Sequence, residues 1–405
     1  MSANSKHQPS LDWIDAQHES MVQTLIAWSR INSGSYHIEG VRRMREALAQ
    51  AFAVLGGEAE VLPVAPLETV SSKGEIEQIP LAEALRIRKR PDAPIQVFLC
   101  GHMDTVFPKD SAFQDVRWLD DNTLNGPGVA DLKGGLVVML TALQALEQSP
   151  YASNIGWEIL FNPDEEIGSQ SSHPLLLEAA SRNHLGLIYE PALADGTLAG
   201  ERKGSGNFVF VVRGKAAHAG RDFDKGRNAI ARLGELIARL YALNGQREGV
   251  TINPGKIEGG GAVNIVPDLA ILRLNVRLPK VEDQAWVEQQ FDALIAEFNQ
   301  RAGFHIFRHG KFTRPAKPLS KKNHKLFELL KSCGAELGLT IQHKPSGGCC
   351  DGNNLAAAGL PNIDTLGVRG GNIHSHEEFM LVDSLTERAK LSALLLLKMA
   401  DGVEF

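Results

Sequence analysis

His102 and Asp104 stand at the end of an apolar run, Val97-Phe98-Leu99-Cys100-Gly101-His102-Met103-Asp104-Thr105. A second run ends in adjacent glutamates, Asn162-Pro163-Asp164-Glu165-Glu166-Ile167-Gly168. Between them, Asp131 lies in a glycine-rich stretch, Gly126-Pro127-Gly128-Val129-Ala130-Asp131-Leu132-Lys133-Gly134-Gly135. Glu190 follows a third apolar segment, Leu185 to Tyr189. One imidazole and several carboxylates at the tips of apolar strands are what a water-activating metal site needs. Singly, each residue is an ordinary loop feature. His102, Asp104, Glu165, Glu166 and Glu190 all follow predicted strands directly, and functional residues of open α/β sheets collect at the carboxyl ends of strands.

The elements that must position them are legible in the apolar spacing. Leu11 to Ile31, Val41 to Leu55 and Gly134 to Leu146 have helical periodicity. Ile95 to Cys100, Trp157 to Phe161 and Leu185 to Tyr189 read as strands, the first buried on both faces. Such alternation favours an α/β layer fold. After about Lys203 the pattern changes. Strands are expected at Asn207 to Arg213, Val250 to Ile257, Leu269 to Arg277 and Phe304 to Phe312, with helices at Asn228 to Leu243 and Val281 to Phe298. The order β-α-β-β-α-β is ferredoxin-like. Signals of the first type resume near Leu319, so the expected division is residues 1–203, an inserted unit 204–316, and 317–405.

A chain of 405 residues exceeds one typical core. Hydrophobic residues make up 43% and charged residues 22%, as in ordinary globular proteins. The net charge of −6, with no basic block, argues against a nucleic-acid partner. Met1 to Asp15 is polar and lacks an apolar signal core, and no apolar run reaches membrane-spanning length. Four cysteines, with Cys349 and Cys350 adjacent, form no disulfide framework and no CxxC zinc pattern. Reduced thiols and a cytoplasmic setting are the expectation.

These segments, with others in the same order, resemble the M20 family of co-catalytic zinc peptidases and deacylases. That family includes glutamate carboxypeptidase, acetylornithine deacetylase and succinyl-diaminopimelate desuccinylase. The resemblance extends through Glu190-Pro191, Gly214-Lys215-Ala216-Ala217-His218-Ala219-Gly220, Asn264-Ile265-Val266-Pro267, Arg314-Pro315, Gly347-Gly348 with Asp351, and His374-Ser375 with Glu378. It implies a zinc-peptidase catalytic domain with a mixed sheet flanked by helices, carrying the inserted unit as a lid and dimerisation domain. It implies two zinc ions per chain, with cobalt or manganese as substitutes. Asp131 would bridge them, His102 and Glu190 completing one site and Glu166 and His374 the other. Three carboxylates against two dications leave about one positive charge, which a bridging hydroxide cancels. His376 is an alternative to His374, but His374-x-x-x-Glu378-Phe379 has the family spacing.

The same resemblance makes Glu165 the general base and Asp104 the residue that holds His102 through its second ring nitrogen. His218 would reach the site of a second copy in a homodimer and stabilise the oxyanion, with Asn264 adding a polar contact. Arg314, with Gly348, would receive a substrate carboxylate. Lys133 reads as surface or structural, and Cys350 stands where a small hydroxyl residue is usual. The expected reaction is hydrolysis of an amide beside a free carboxylate, in a small peptide or an N-acyl amino acid. Glu190 as third ligand favours the carboxypeptidase and deacylase branches over the tripeptidase and carnosinase-like ones, which tend to use Asp. A non-catalytic binding homologue would have lost a ligand or the base, and none is missing here.

Overall fold

The computed structural model describes residues 6–404; Met1 to Ser5, the first part of the polar start, lie outside them. A six-stranded mixed sheet takes the strands in the order 58–62, 84–89, 155–162, 95–102, 185–188, 362–363. Ile95–His102 runs parallel to Ile155–Asn162 on one side and to Leu185–Ile188 on the other. The register pairs His102 with Asn162 and Cys100 with Ile188. Parallel strands in that register end at one edge of the sheet, which is why residues far apart in sequence meet there.

Both faces of the central strand are covered, as its unbroken apolar run requires. Val97 and Leu99 join the core under helix Lys133–Glu147, while Phe98 and Cys100 pack with Leu176, Ala179 and Leu355 on the other face. Helix Lys133–Glu147 is itself buried almost all round, because Ser384–Ala400 lies over its outer side. At its start, a Cβ added to Gly135 would meet the Tyr189 carbonyl oxygen at 2.0 Å. Only a glycine lets the helix come that close to the strand end that precedes Glu190.

Residues 204–314 form a separate four-stranded antiparallel sheet, ordered 251–259, 269–278, 204–213, 305–314. Helices Ala229–Tyr241 and Asp283–Asn299 cover one face through Leu233, Leu236, Leu240, Val287, Phe291 and Leu294. The chain order is βαββαβ, as expected. The first helix is capped by Asn228, whose side chain accepts from the Ala231 N–H at 2.9 Å.

The sequence reading does not anticipate strands 58–62, 84–89 and 362–363 of the mixed sheet, and two further departures have a visible cause. The helical run Leu11 to Ile31 is two helices, Gln8–Ala16 and His18–Ser29, because the Gln17 N–H takes the Ile14 carbonyl and tightens the turn there. A hairpin, Leu67–Val70 with Ile76–Ile79, packs on the open face of the four-stranded sheet, where Val70 meets Val211 and Ile271. Arg273 Nη2 donates to the Val70 carbonyl at 2.6 Å, and Arg213 Nη2 to that of Lys73 at 2.8 Å. The hairpin carries few apolar residues, so its role was not readable before its partner sheet was in place.

Candidate metal centre and cavity

The strand ends bring together His102, Asp131 and Glu190 as one set of donors, and Asp131, Glu166 and His374 as a second. Within each set the donor atoms lie within 4.8 Å of one another. His102 Nε2 is 3.3 Å from Asp131 Oδ1 and 4.0 Å from Glu190 Oε1. His374 Nε2 is 3.2 Å from Asp131 Oδ2 and 3.2 Å from Glu166 Oε2. Asp131 thus offers one oxygen to each set. One imidazole and two carboxylates per set is a donor chemistry that suits zinc, with room left for water.

Each donor is held from behind. The Glu378 carboxylate accepts from the backbone N–H groups of Gly128, Ala130 and Asp131, each at 3.0 Å, and so fixes the Asp131 loop. His102 Nδ1 lies 2.9 Å from the Asp104 carbonyl oxygen. A carbonyl only accepts, so Nδ1 carries the proton and Nε2 presents its lone pair to the cluster. The Asp104 carboxylate is farther from Nδ1, at 3.5 Å. It accepts instead from Ser35 Oγ at 2.6 Å and from the Glu165 and Glu166 N–H groups, both at 3.2 Å. Asp104 therefore orients the imidazole through its backbone and the glutamate turn through its side chain.

Glu165 stands beside the cluster. Arg314 Nη2 contacts its Oε1 at 2.8 Å, while Arg314 Nη1 contacts Asp351 Oδ1 at 3.1 Å and Nη2 donates to Ser169 Oγ at 3.0 Å. Burial pushes the Glu165 carboxyl up to about 7, against the pull of Arg314. Burial and the Asp131 charge push Glu166 up to about 8. The hydrogen bonds of Asp131 and Glu166 raise His374 to about 11. Burial works to raise Asp131, yet His102 and His374 hold it below the usual carboxylate range. Crowded carboxylates with shifts this large and opposed mark a place built around positive charge.

The cluster opens into a cavity of about 580 Å³ between the mixed sheet and the four-stranded sheet. Asp131, Glu165, Glu166, Glu190, His374, Arg314 and Gly348 all line it. His218 and Asn264 do not. They sit together on an exposed ribbon, Ala217–His218 paired with Ile265–Val266, where the Ala219 N–H donates to the Asn264 carbonyl at 2.9 Å. His376 joins neither donor set among the described residues; its ring stacks on Phe113 at 5.3 Å. Lys133 is buried rather than on the surface, and its Nζ donates to the Ile31 carbonyl at 2.7 Å. Cys350 caps helix Asp351–Ala357, its sulfur accepting from the Gly352 N–H at 3.3 Å.

Arg277 was not singled out from the sequence. It lies on strand Leu269–Leu278, lines the cavity, and has no carboxylate partner among the described residues. Its Nε donates to Asn275 Oδ1 at 2.9 Å, and its Nη1 is 3.1 Å from Cys349 Sγ. In sequence it is one arginine in an alternating strand. Only the docking of the two sheets makes its face of the strand a wall of the cavity into which the cluster opens.

The chain is similar to known proteins over most of its length. The pattern of peptidase family M20/M25/M40 matches residues 98–398. Carboxypeptidase G2 of Pseudomonas sp. (strain RS-16) is 29% identical over 323 residues, covering 76% of this chain and 74% of that protein. Succinyl-diaminopimelate desuccinylase of Dechloromonas aromatica (strain RCB) is 25% identical over 325 residues, covering 76% and 83%. Among solved structures, a tripeptidase of Staphylococcus aureus superposes with a TM-score of 0.72 at 22% identity, covering 95% of this chain and 99% of that one. The match runs from the strand that ends in His102 to the last helix, and the chain belongs to peptidase family M20/M25/M40, as a metallohydrolase of amide bonds.

Proposed function

We propose that this chain is a dizinc hydrolase that cleaves an amide bond next to a free carboxylate, as a glutamate-type carboxypeptidase does. The observation that carries the reading is the pair of donor sets sharing Asp131 at the floor of a cavity whose wall holds Arg277. His102, Asp131 and Glu190 would hold one ion, and Asp131, Glu166 and His374 the other. When bound, such ions polarise the scissile carbonyl and acidify water.

The chain's own residues supply the rest. Glu165 takes the proton from the attacking water and delivers it to the leaving amine nitrogen. Arg314, in contact with Glu165, Ser169 and Asp351, holds that carboxylate in place. With Arg314 so engaged, recognition of the substrate carboxylate falls to Arg277, whose planar guanidinium can take both oxygens at once. Gly348 borders the same wall. His218 and Asn264 are assigned to the site of a second copy, in a homodimer joined through residues 204–316. Residues 1–203 and 317–405 are then the two segments of the catalytic domain. The four thiols are unpaired, in keeping with a cytoplasmic enzyme.

The second reading, an N-acyl-amino-acid deacylase, is favoured by the similarity to the desuccinylase. Both readings need a carboxylate beside the cleaved bond. A panel of N-acyl amino acids and their α-amides should therefore separate acids from amides, with hydrolysis of the acids only. Arg277→Ala should raise KM for the acid by a factor on the order of 10² or more, since losing a desolvated charge pair costs about 2–5 kcal/mol. Equal hydrolysis of acid and amide by the wild type refutes both readings. The leaving residue that gives the highest kcat/KM identifies the amino acid.

A further inference from the structure

A second cavity, of about 450 Å³, adjoins the glutamate turn and is otherwise lined by residues of the segments 34–37 and 105–110. Glu166 and Ile167 line both cavities. A scissile amide has two substituents, one on the carbonyl carbon and one on the nitrogen. With Glu165 as the base and Glu166 as a donor, as proposed above, the amide sits at this turn; with the carboxylate-bearing amine toward Arg277, the acyl substituent is directed to the other space that the turn lines. The second cavity is the space it meets.

That space is built rather than incidental. The segment carrying Tyr36 is tied to the strand end that carries His102. The Thr105 N–H donates to the Ser33 carbonyl at 2.9 Å, the Ser35 N–H to the Thr105 carbonyl at 3.3 Å, and Ser35 Oγ to Asp104 Oδ2 at 2.6 Å. A Cβ on Gly34 would stand 2.4 Å from the Phe107 carbonyl oxygen, so the two segments are in direct backbone contact. Tyr36 is thus held at a set place relative to the metal donors, yet its side chain is left 60% exposed. Tyr36, Val106, Pro108 and Ile167 give the groove carbon-rich walls. Besides Tyr36, the ionisable residues of its lining, His37, Lys109, Asp110 and the shared Glu166, carry both signs.

We propose that this groove receives the acyl half of the substrate and favours a bulky apolar acyl group lying on the Tyr36 ring. The proposal rests on the amidohydrolase reading above. The groove is far larger than an acetyl group needs, and apolar walls reward each added carbon that leaves water.

The test holds the leaving amino acid constant and varies the acyl group, with the metal-loaded full-length protein. The N-benzoyl substrate should exceed the N-acetyl substrate in kcat/KM by about 10-fold or more. Tyr36→Ala should remove most of that preference through KM while leaving N-acetyl turnover within about two-fold, and Tyr36→Phe should keep it, because the ring face and not the hydroxyl is used. Equal use of both acyl groups by the wild type overturns the proposal. So does a Tyr36→Ala variant that lowers both substrates alike. Hydrolysis of acetyl substrates without any acyl preference leaves the amidohydrolase reading standing and removes this one alone. Absence of hydrolysis with either acyl group removes both.

Discussion

Glu165 and Arg314 touch at 2.8 Å, and the pair is closed on the far side by Asp351 and Ser169. A base must be fixed in place and still be able to accept a proton. In the metal-free chain burial lifts Glu165 to about 7, and the guanidinium fixes its place. Glu165→Gln keeps the shape and the Arg314 contact but cannot take a proton. It should retain bound metal and lose roughly 10²–10⁴-fold in kcat, the usual weight of a general base. Metal analysis and turnover on one preparation check this, and near-wild-type kcat would remove Glu165 from the role. Glu166→Gln should behave differently, because its carboxylate belongs to a donor set. It should lower metal content before it lowers kcat per bound metal.

At the scale of elements, the site depends on how closely helix Lys133–Glu147 approaches the strand end at Tyr189. Asp131 precedes that helix and Glu190 follows that strand, so the spacing of the two carboxylates is set by backbone contact. Gly135→Ala would put a methyl group 2.0 Å from the Tyr189 carbonyl oxygen. The helix must then move outward. We expect a loss of roughly 1–3 kcal/mol, the cost of overpacking a tight core. Metal affinity should fall as well, since the shared donor set is pulled apart. Thermal unfolding with and without zinc measures both effects, and a variant with unchanged melting temperature and unchanged metal affinity would show that the approach is not needed.

At the scale of the whole molecule, two expectations follow from charge and one from assembly. Removing metal with a chelator should abolish hydrolysis, and Asp131→Ala should lose both ions, because each donor set uses that residue. Full occupancy in that variant would refute the sharing. Without metal, pH should matter more. Glu165 and Glu166 lie at about 7 and about 8 in the folded chain, against an ordinary 4.5. A carboxyl raised by folding binds more protons folded than unfolded, so stability falls as pH rises across that interval. The metal-free protein should melt at a lower temperature near pH 8 than near about pH 5, and metal should remove the difference. A scan in which the metal-free protein gains stability over that interval would contradict the charge account. His218 lies on the exposed ribbon of the inserted unit, outside the cavity of its own chain. If it serves a second copy, mixing inactive His218→Ala with inactive Glu165→Gln protein should restore part of the activity through mixed dimers. Subunit exchange without recovered activity would end that assignment.

The sequence by itself determined the central strands that lead to His102, Asn162 and Glu190 and the βαββαβ order of residues 204–314, and its resemblance to a known family pointed to His102, Asp131, Glu166, Glu190 and His374, which meet as two donor sets. The reason is local. Apolar periodicity specifies strands and helices, and parallel strands expose their carboxyl ends on one edge, where His102, Glu166 and Glu190 lie; Asp131 and His374 stand on loops, and only the family resemblance pointed to them. Tertiary structure decided what depends on approach between distant segments. It engaged Arg314 with Glu165, set Arg277 on the cavity wall, and sent the Asp104 carboxylate to the glutamate turn while its carbonyl took the imidazole. It also laid the hairpin at residues 67–79 on the open face of the second sheet. An arginine has the same sequence signature whether it grips a protein carboxylate or faces an open cavity. Its role is set by which charges lie within a few ångströms, and that is known only once the sheets have docked.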